Sequence, residues 1–473
     1  MSTNFLTRKN ARYNGTTTRT EYRDNRQDEL LQSPSNNLTI EKGGGIIGCT
    51  TAYFLTRHPY YNPQSHKITI LESTSIASGA SGKAGGLLAL WAYPSNIVPL
   101  SYKLHAELAK EHNGEKRWGY RAVHCGSLSA KGKVYDSMNR KGEGKEGGEQ
   151  WQKLPKTDGK KAKAAARGVP KELNWFDEDS ITGYSEMGTP DTTAQVHPYK
   201  FTTSMADLAV EAGAKVILGS VTALDYTGTH GVKGVTYEDK ETKNIHTLPV
   251  TDVILAAGPW TSHVFPDIQI DAMRAHSVVI EADVSPYAVF TEIELPKEFG
   301  RKGGGDVKFR RHGKRVSPEM YARPDGTVYA CGIYPFSPSL TFPLLSSHSL
   351  THETLMKCDV GEGDSLIPLP KTSDLVICDE ERCQDIIDYV SSISTPLRQG
   401  QILKKQACYL PSVAGGGGPL IGKTGIKGLL MATGHTCWGI QNSCATGKLI
   451  SEFVFEGGAK SARIDSLDPR RFI

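Results

Sequence analysis

The sequence predicts a two-domain α/β protein, with a parallel sheet flanked by helices and a second sheet that is mixed or antiparallel. Three observations predict it. Residues 38–72 read as strand, glycine turn, helix and strand. Asp252–Ala257 is an apolar run closed by Gly258-Pro259-Trp260, and strand-like stretches gather late, at His276–Ala282 and Val328–Cys331. Two parallel strands need a crossover, which the intervening helix supplies. A length of 473 residues has room for two to three domains. A hydrophobic share of 38% against 22% charged residues excludes a wholly disordered chain.

In chain order, Leu38–Lys42 reads as a short strand and Gly43–Gly48 as a turn. Cys49–Arg57 reads as a helix halted by His58-Pro59, and Lys67–Leu71 as a β-branched strand ending at Glu72. A second glycine cluster, Ser78–Gly86, precedes a helical stretch at Pro99–Glu111. His197-Pro198-Tyr199 introduces a helix over Thr202–Ala212. Lys215–Leu218 and Val221–Tyr226 read as strands, and Val232–Tyr237 with His246–Val250 as a hairpin. Pro419–Ile421 and Leu429–Ala432 are short strands, and Gly439–Val454 is a helix with an apolar face.

Composition narrows the function. Lys+Arg 55 against Asp+Glu 51 gives a net charge of +4, too mild to call for nucleic acid. No run of 18 apolar residues suggests a membrane span. The nine cysteines are odd in number and contain no CxxC, so neither a zinc site nor a disulfide framework is expected, and no metal is. Reduced thiols point to the cytoplasm, and association with endosomes is carried beside that expectation. Residues 1–37 lack an apolar core and read as a disordered tail. Lys131–Arg167 is crowded with Lys and Gly and reads as a flexible solvated insertion, without the aromatic interleaving of a nucleic-acid patch.

Gly43-x-Gly45-x-x-Gly48 is the signal with chemical content. The first glycine permits the tight turn, the second lets backbone approach a pyrophosphate, and the third lets helix and sheet pack closely. The helix N-terminus offers unpaired N–H groups to the phosphate. Glu72 ends the next strand, where its carboxylate can accept from both ribose hydroxyls. The bare glycine turn is the alternative. One departure stands out: Glu41 and Lys42 immediately precede Gly43, and two charges in a central strand cost several kcal/mol unless paired or turned outward. Either the strand is frayed and the site weakened, or the start of the sequence is abnormal.

Taken together, Gly43–Gly48, Glu72, Ser78–Gly86 and His197-Pro198-Tyr199 resemble the FAD-dependent amine and amino-acid oxidases. This family includes D-amino-acid oxidase, glycine oxidase and monomeric sarcosine oxidase. Ala256–Trp260, Tyr321–Gly326, Gly418–Gly422 and Ala432–His435 with Gly439-Ile440 are similar to later family motifs, in family order. In detail the chain looks most like poorly characterised fungal members.

The resemblance implies a Rossmann-like FAD domain assembled from residues 38–86, 196–262 and 406–456. It implies a substrate domain from 87–195 and 263–405, with 457–473 as a C-terminal tail. FAD would be held by Gly43, Gly45, Ile46, Ile47 and Gly48, by Glu72 and Ser73, and by Ser78, Gly79, Ala80, Ser81, Gly82, Gly85 and Gly86. Val221 would contact adenine through main chain. Ala257, Gly258, Trp260, Gly434, His435, Gly439, Ile440 and Gln441 would complete the site. The implied reaction is hydride transfer from a C–H beside an amine nitrogen to flavin, with oxygen as acceptor. The implied substrate is a small amine or amino acid.

Catalytic candidates are His435, Arg323 and Tyr321. Arg323 is either a carboxylate clamp or a surface residue beside its Pro-Asp-Gly turn. Cys408 resembles the position that links flavin through sulfur in sarcosine oxidase, although noncovalent FAD is favoured and a buried thiol is the commoner meaning. Two other functions remain open: a flavin-fold protein without turnover, acting as a regulatory or trafficking-associated module, and an NAD-dependent dehydrogenase. The latter explains the first βαβ unit but neither the second glycine cluster nor the C-terminal segment.

Overall fold

The computed structural model describes residues 37–134, 168–227, 231–297, 299, 315–332 and 368–473. The expected tail, except Asn37, and residues 135–167 of the expected insertion lie outside the described residues.

The first sheet has eight strands. Its parallel centre runs Lys215–Thr227, His66–Glu72, Asn37–Lys42, Asp252–Leu255, Leu429–Thr433. Gly231–Asp239 and Ile245–Pro249 extend one end antiparallel, and Leu420–Lys423 pairs antiparallel at the other. Lys215–Thr227 is a single strand with a bulge between Val221 and Ala223 rather than two strands, because its pairing with the hairpin continues across the irregularity.

The first strand does not fray. Glu41 pairs with Ile70 on one side and Ile254 on the other, Lys42 with Leu71 and Leu255, and Gly43 N–H donates to Leu71 O at 3.1 Å. Backbone bonding on both edges carries the pairing up to the turn despite the two charged residues.

One face of this sheet is covered by helices at Ile46–Thr56, Pro198–Glu211 and Gly439–Glu456, which share a core with Val98–Glu111. The first two of these helices begin earlier than the apolar periodicity suggested, and the last begins at Gly439 as expected. Ile46 and Ile47 enter the first helix directly from the glycine turn, and Pro198 occupies the first turn of its helix, where no N–H is needed. Residues 457–473 contribute Ile464 and Leu467 to the same core.

The second sheet runs Ile402–Val413, Ile270–Glu281, Thr327–Gly332, Glu319–Ala322, Tyr287–Glu294, His124–Lys131, Ile181–Gly188, with Arg315–Val316 beside Tyr287–Glu294. The domain boundary drawn at 406 therefore falls inside a strand of this sheet. One face packs against the helix Glu380–Ser391, and the other carries a cluster with Leu87, Cys125, Tyr321 and Tyr329. A short sheet of Leu87–Ala89, Thr193–Gln195 and Arg121–Ala122 follows the second glycine cluster. Among the described residues no helix is long and apolar enough to cross a membrane.

Candidate functional site

The glycine turn is shaped by backbone geometry. Gly43 has φ +130°, and a Cβ there would lie 2.4 Å from Ala256 O, so the turn is pressed against the end of the neighbouring strand. Gly45 precedes the helix in extended conformation with no side-chain cap and no acidic residue in the first turn. The orphan N–H groups of that terminus face a favourable place for an anion.

The second glycine cluster closes over this terminus. Ser81 Oγ accepts from Ile46 N–H at 2.9 Å, and Ala77 N–H donates to Gly44 O at 2.9 Å. Ser78 Oγ lies 2.6 Å from both Thr74 Oγ1 and Ser373 Oγ. The Glu72 carboxylate is already engaged. Oε2 accepts from Gly44 N–H at 2.7 Å, and Oε1 accepts from Thr74 N–H at 2.9 Å, from Thr74 Oγ1–H and from Ser73 Oγ–H. Val221 lies three residues beyond Leu218, the register partner of Glu72, at the same end of the sheet.

The remaining predicted residues join this assembly from the far side. Gly258 O accepts from Thr261 Oγ1 at 2.8 Å and Thr433 Oγ1 at 3.1 Å, tying Ala257–Trp260 to the strand that ends before Gly434. Trp260 Nε1 donates to Pro370 O at 2.6 Å. Gln441 Oε1 accepts from Ala89 N–H at 2.8 Å, which joins the start of the last helix, Gly439–Gln441, to the strand after Gly86. Gly86 itself has φ +89°, and a Cβ there would lie 2.0 Å from Val196 O.

His435 is buried, and burial lowers its pKa to about 3, so its ring is neutral. Thr446 Oγ1 gives its single proton to Asn442 O, so His435 Nε2 donates to Thr446 Oγ1 at 3.0 Å. That leaves Nδ1 as an acceptor and suits an orienting role.

Arg323 is not on the surface: it is 7% exposed. The second sheet's face packs against Gly85, where a Cβ would lie 2.1 Å from the Tyr321 ring, and that contact covers the neighbouring side chains. One Arg323 nitrogen donates to Ala84 O at 2.8 Å, the guanidinium lies 5.2 Å from the Tyr329 centroid, and Nε is buried without a partner among the described residues. Burial lowers its pKa, opposed by Tyr329 and Asp325.

Tyr321 donates its hydroxyl proton to Glu319. Sequence reasoning missed Glu319, although the alternation places Glu319 and Tyr321 on one face of a strand, with Arg323 just past its end. Cys408 is buried, and desolvation pushes its thiol up to about 11, with nearby Lys83 pulling the other way.

These residues fit a dinucleotide carrying an aromatic ring system. The N-terminus of the first helix and the glycine cluster suit a pyrophosphate. Among the described residues the buried Gln441 Nε2 and Trp91 Nε1 have no partner, as donors reserved for a ligand would.

A family model described as DAO, FAD dependent oxidoreductase, matches residues 43–453. The Saccharomyces cerevisiae protein TDA3, provisionally named an oxidoreductase, is 34% identical over 548 aligned positions, covering 93% of this chain and 96% of the relative. Glycine oxidase from Bacillus cereus superposes with TM-score 0.56 at 17% identity, over 90% of this chain and 99% of that one. L-proline dehydrogenase from P. horikoshii superposes with TM-score 0.57 at 18% identity, over 93% and 98%. At those identities the structures establish the shared fold.

Proposed function

The chain belongs to the FAD-dependent oxidoreductase family, and from that premise we propose that it oxidises a carbon–nitrogen bond of an amine or amino acid, with oxygen as acceptor. FAD, when bound, supplies the acceptor for a hydride leaving the carbon next to nitrogen. The protein supplies position and charge. Gly43–Gly48 and Ser78–Gly86 would take the pyrophosphate, Glu72 the ribose, and the start of the last helix would offer donors to developing negative charge.

The observation that carries this reading is the convergence of both glycine clusters, Glu72 and Gln441 on one side of the first sheet. The names of the structural neighbours favour amino-acid substrates and divide on the acceptor, one being an oxidase and one a dehydrogenase. The eight described cysteines are free thiols, which supports a cytoplasmic location.

A second reading, the flavin-binding module without turnover, is favoured by Arg323. It is buried, and one of its nitrogens already donates to Ala84 O, which leaves less of the guanidinium for a carboxylate.

Purified protein tests both. Absorbance near 450 nm and heat-released FAD are expected, and recovery of NAD, or of no nucleotide after reconstitution with FAD, overturns the proposal. Anaerobic bleaching by a panel of amines and amino acids, reversed by air, supports turnover with oxygen. A yellow protein that no amine bleaches supports the binding module.

A further inference from the structure

A row of side chains crosses the second sheet at one level. In register order it reads Gln406, Ser277, Cys331, Glu319, Phe290 and Ser127. Glu319 is the only carboxyl in this row and sits near its middle. Its oxygen contacts are a proton from Tyr321 and a 3.9 Å contact with Cys331 Sγ. Among the described residues no Lys, Arg or His makes an ion pair with it. A carboxylate deep in a sheet without a cation is costly, and native chains keep such groups for a purpose.

The place of this face is fixed from three sides. Tyr321, two residues along the same strand, packs on Gly85 in the second glycine cluster. Cys331, opposite Glu319, is close enough to Cys437, in the turn before the last helix, to be influenced by it electrostatically. Phe290, on Glu319's other side, meets Trp91 at 6.0 Å, and Trp91 meets Trp438 at 5.5 Å. Tyr321 thus links the carboxyl to the second glycine cluster, and Phe290 with Trp91 stands on its other side. Protein surrounds the carboxyl closely, yet the residue keeps partial solvent access.

We propose that Glu319 binds the protonated nitrogen of the substrate and accepts its proton, so that the substrate class is a cationic amine with an apolar flank. The N–H bond breaks, the O–H bond of the Glu319 carboxyl forms, and the electron pair stays on nitrogen. Phe290 and Trp91 would line the apolar flank and add attraction between cation and ring. This inference rests on the proposed function for what the site does, but binding can be measured without turnover. Desolvation raises the Glu319 pKa, which brings its proton affinity nearer to that of an amine.

The test uses two probes of equal shape, benzylamine and benzyl alcohol, titrated into the full chain and followed by tryptophan fluorescence. Flavin content is measured separately. Wild type is expected to bind the amine at least about tenfold more tightly than the alcohol. Glu319→Gln should reduce that preference to about twofold or less, with flavin content unchanged. In wild type, the preference should disappear as pH falls and Glu319 takes up a proton, a readout that does not depend on the variant folding. An amine preference that survives in Glu319→Gln, or a wild type without one, overturns the inference. A chain without flavin that still prefers the amine refutes the proposed function and leaves this inference standing.

Discussion

The Glu72 carboxylate and the Gly44 backbone N–H, 28 residues apart in sequence, meet at 2.7 Å. The residue expected to hold a ribose therefore also braces the turn expected to hold a pyrophosphate. Its other oxygen secures Thr74 N–H, so one side chain fixes the ends of both segments.

Glu72→Ala is expected to lower the stability of the apoprotein as well as FAD affinity. Two backbone donors lose a charged acceptor, and hydrogen bonds of that kind contribute about 1.5–3 kcal/mol each. Loss of one or two at the ribose corresponds to roughly tenfold to ten-thousandfold weaker FAD. Glu41→Ala, at a strand position between Ile70 and Ile254, is expected to weaken FAD less. Flavin-fluorescence titration of both apoproteins, with urea unfolding alongside, decides it. Equal FAD effects would mean that Glu72 is only a brace.

Gly43→Ala and Gly45→Ala should differ in kind. At Gly43 a methyl group meets Ala256 O at 2.4 Å in a backbone conformation that L residues avoid, so the variant should fail to accumulate as folded protein. At Gly45 the nearest atom is Ser81 Oγ at 3.2 Å, which can rotate away. Gly45→Ala should fold with a melting temperature within a few degrees of wild type and lose flavin, because the methyl group takes up the space a pyrophosphate needs. A Gly45→Ala protein that retains full flavin content would place the phosphates elsewhere.

The first βαβ unit was legible because its signals are local: glycine spacing, a β-branched strand and a terminal acid all lie within 72 residues. The same locality explains what was missed. His124–Lys131 and Ile181–Gly188 are rich in small and polar residues and become strands through pairing with each other and with Tyr287–Glu294. Arg323 read as a possible surface residue because Pro-Asp-Gly marks a turn, whereas it is buried, with its guanidinium reaching Ala84 O of the second glycine cluster and lying near the Tyr329 ring. Glu319 gave no signal, since a charge alternating with Met320 and Ala322 is also the pattern of a solvent-facing strand.

Acid should destabilise the chain through its buried histidines. His435 and His105 have pKa values lowered by burial to about 3 and about 4, below the ordinary 6.5. Below pH 6.5 the unfolded chain takes up these protons and the folded chain does not. Stability is therefore complete above 6.5 and falls as pH drops toward 4, by up to ~1.4 kcal/mol per pH unit for each histidine. Urea unfolding at pH 7, 6 and 5 should show this decline, and His435→Asn should flatten it by about one histidine's share. An unchanged slope in that variant would mean that His435 titrates in the folded chain as it does in the unfolded one.

FAD should be held without a bond to Cys408. The thiol is buried and pushed up to about 11, so at pH 7 roughly one molecule in ten thousand carries the thiolate that could attack a flavin. Lys83 lies near enough to favour the thiolate, but its ammonium is already donating to Ala407 O at 3.0 Å, and burial outweighs it. Acid precipitation should therefore leave yellow supernatant and a colourless pellet, and Cys408→Ser should retain the flavin content of wild type. Flavin that stays with the pellet and is released by Cys408→Ser would show that the bound cofactor lowers the thiol's pKa. In that case the desolvation that keeps Cys408 neutral in this structure is overcome once the ring lies against it.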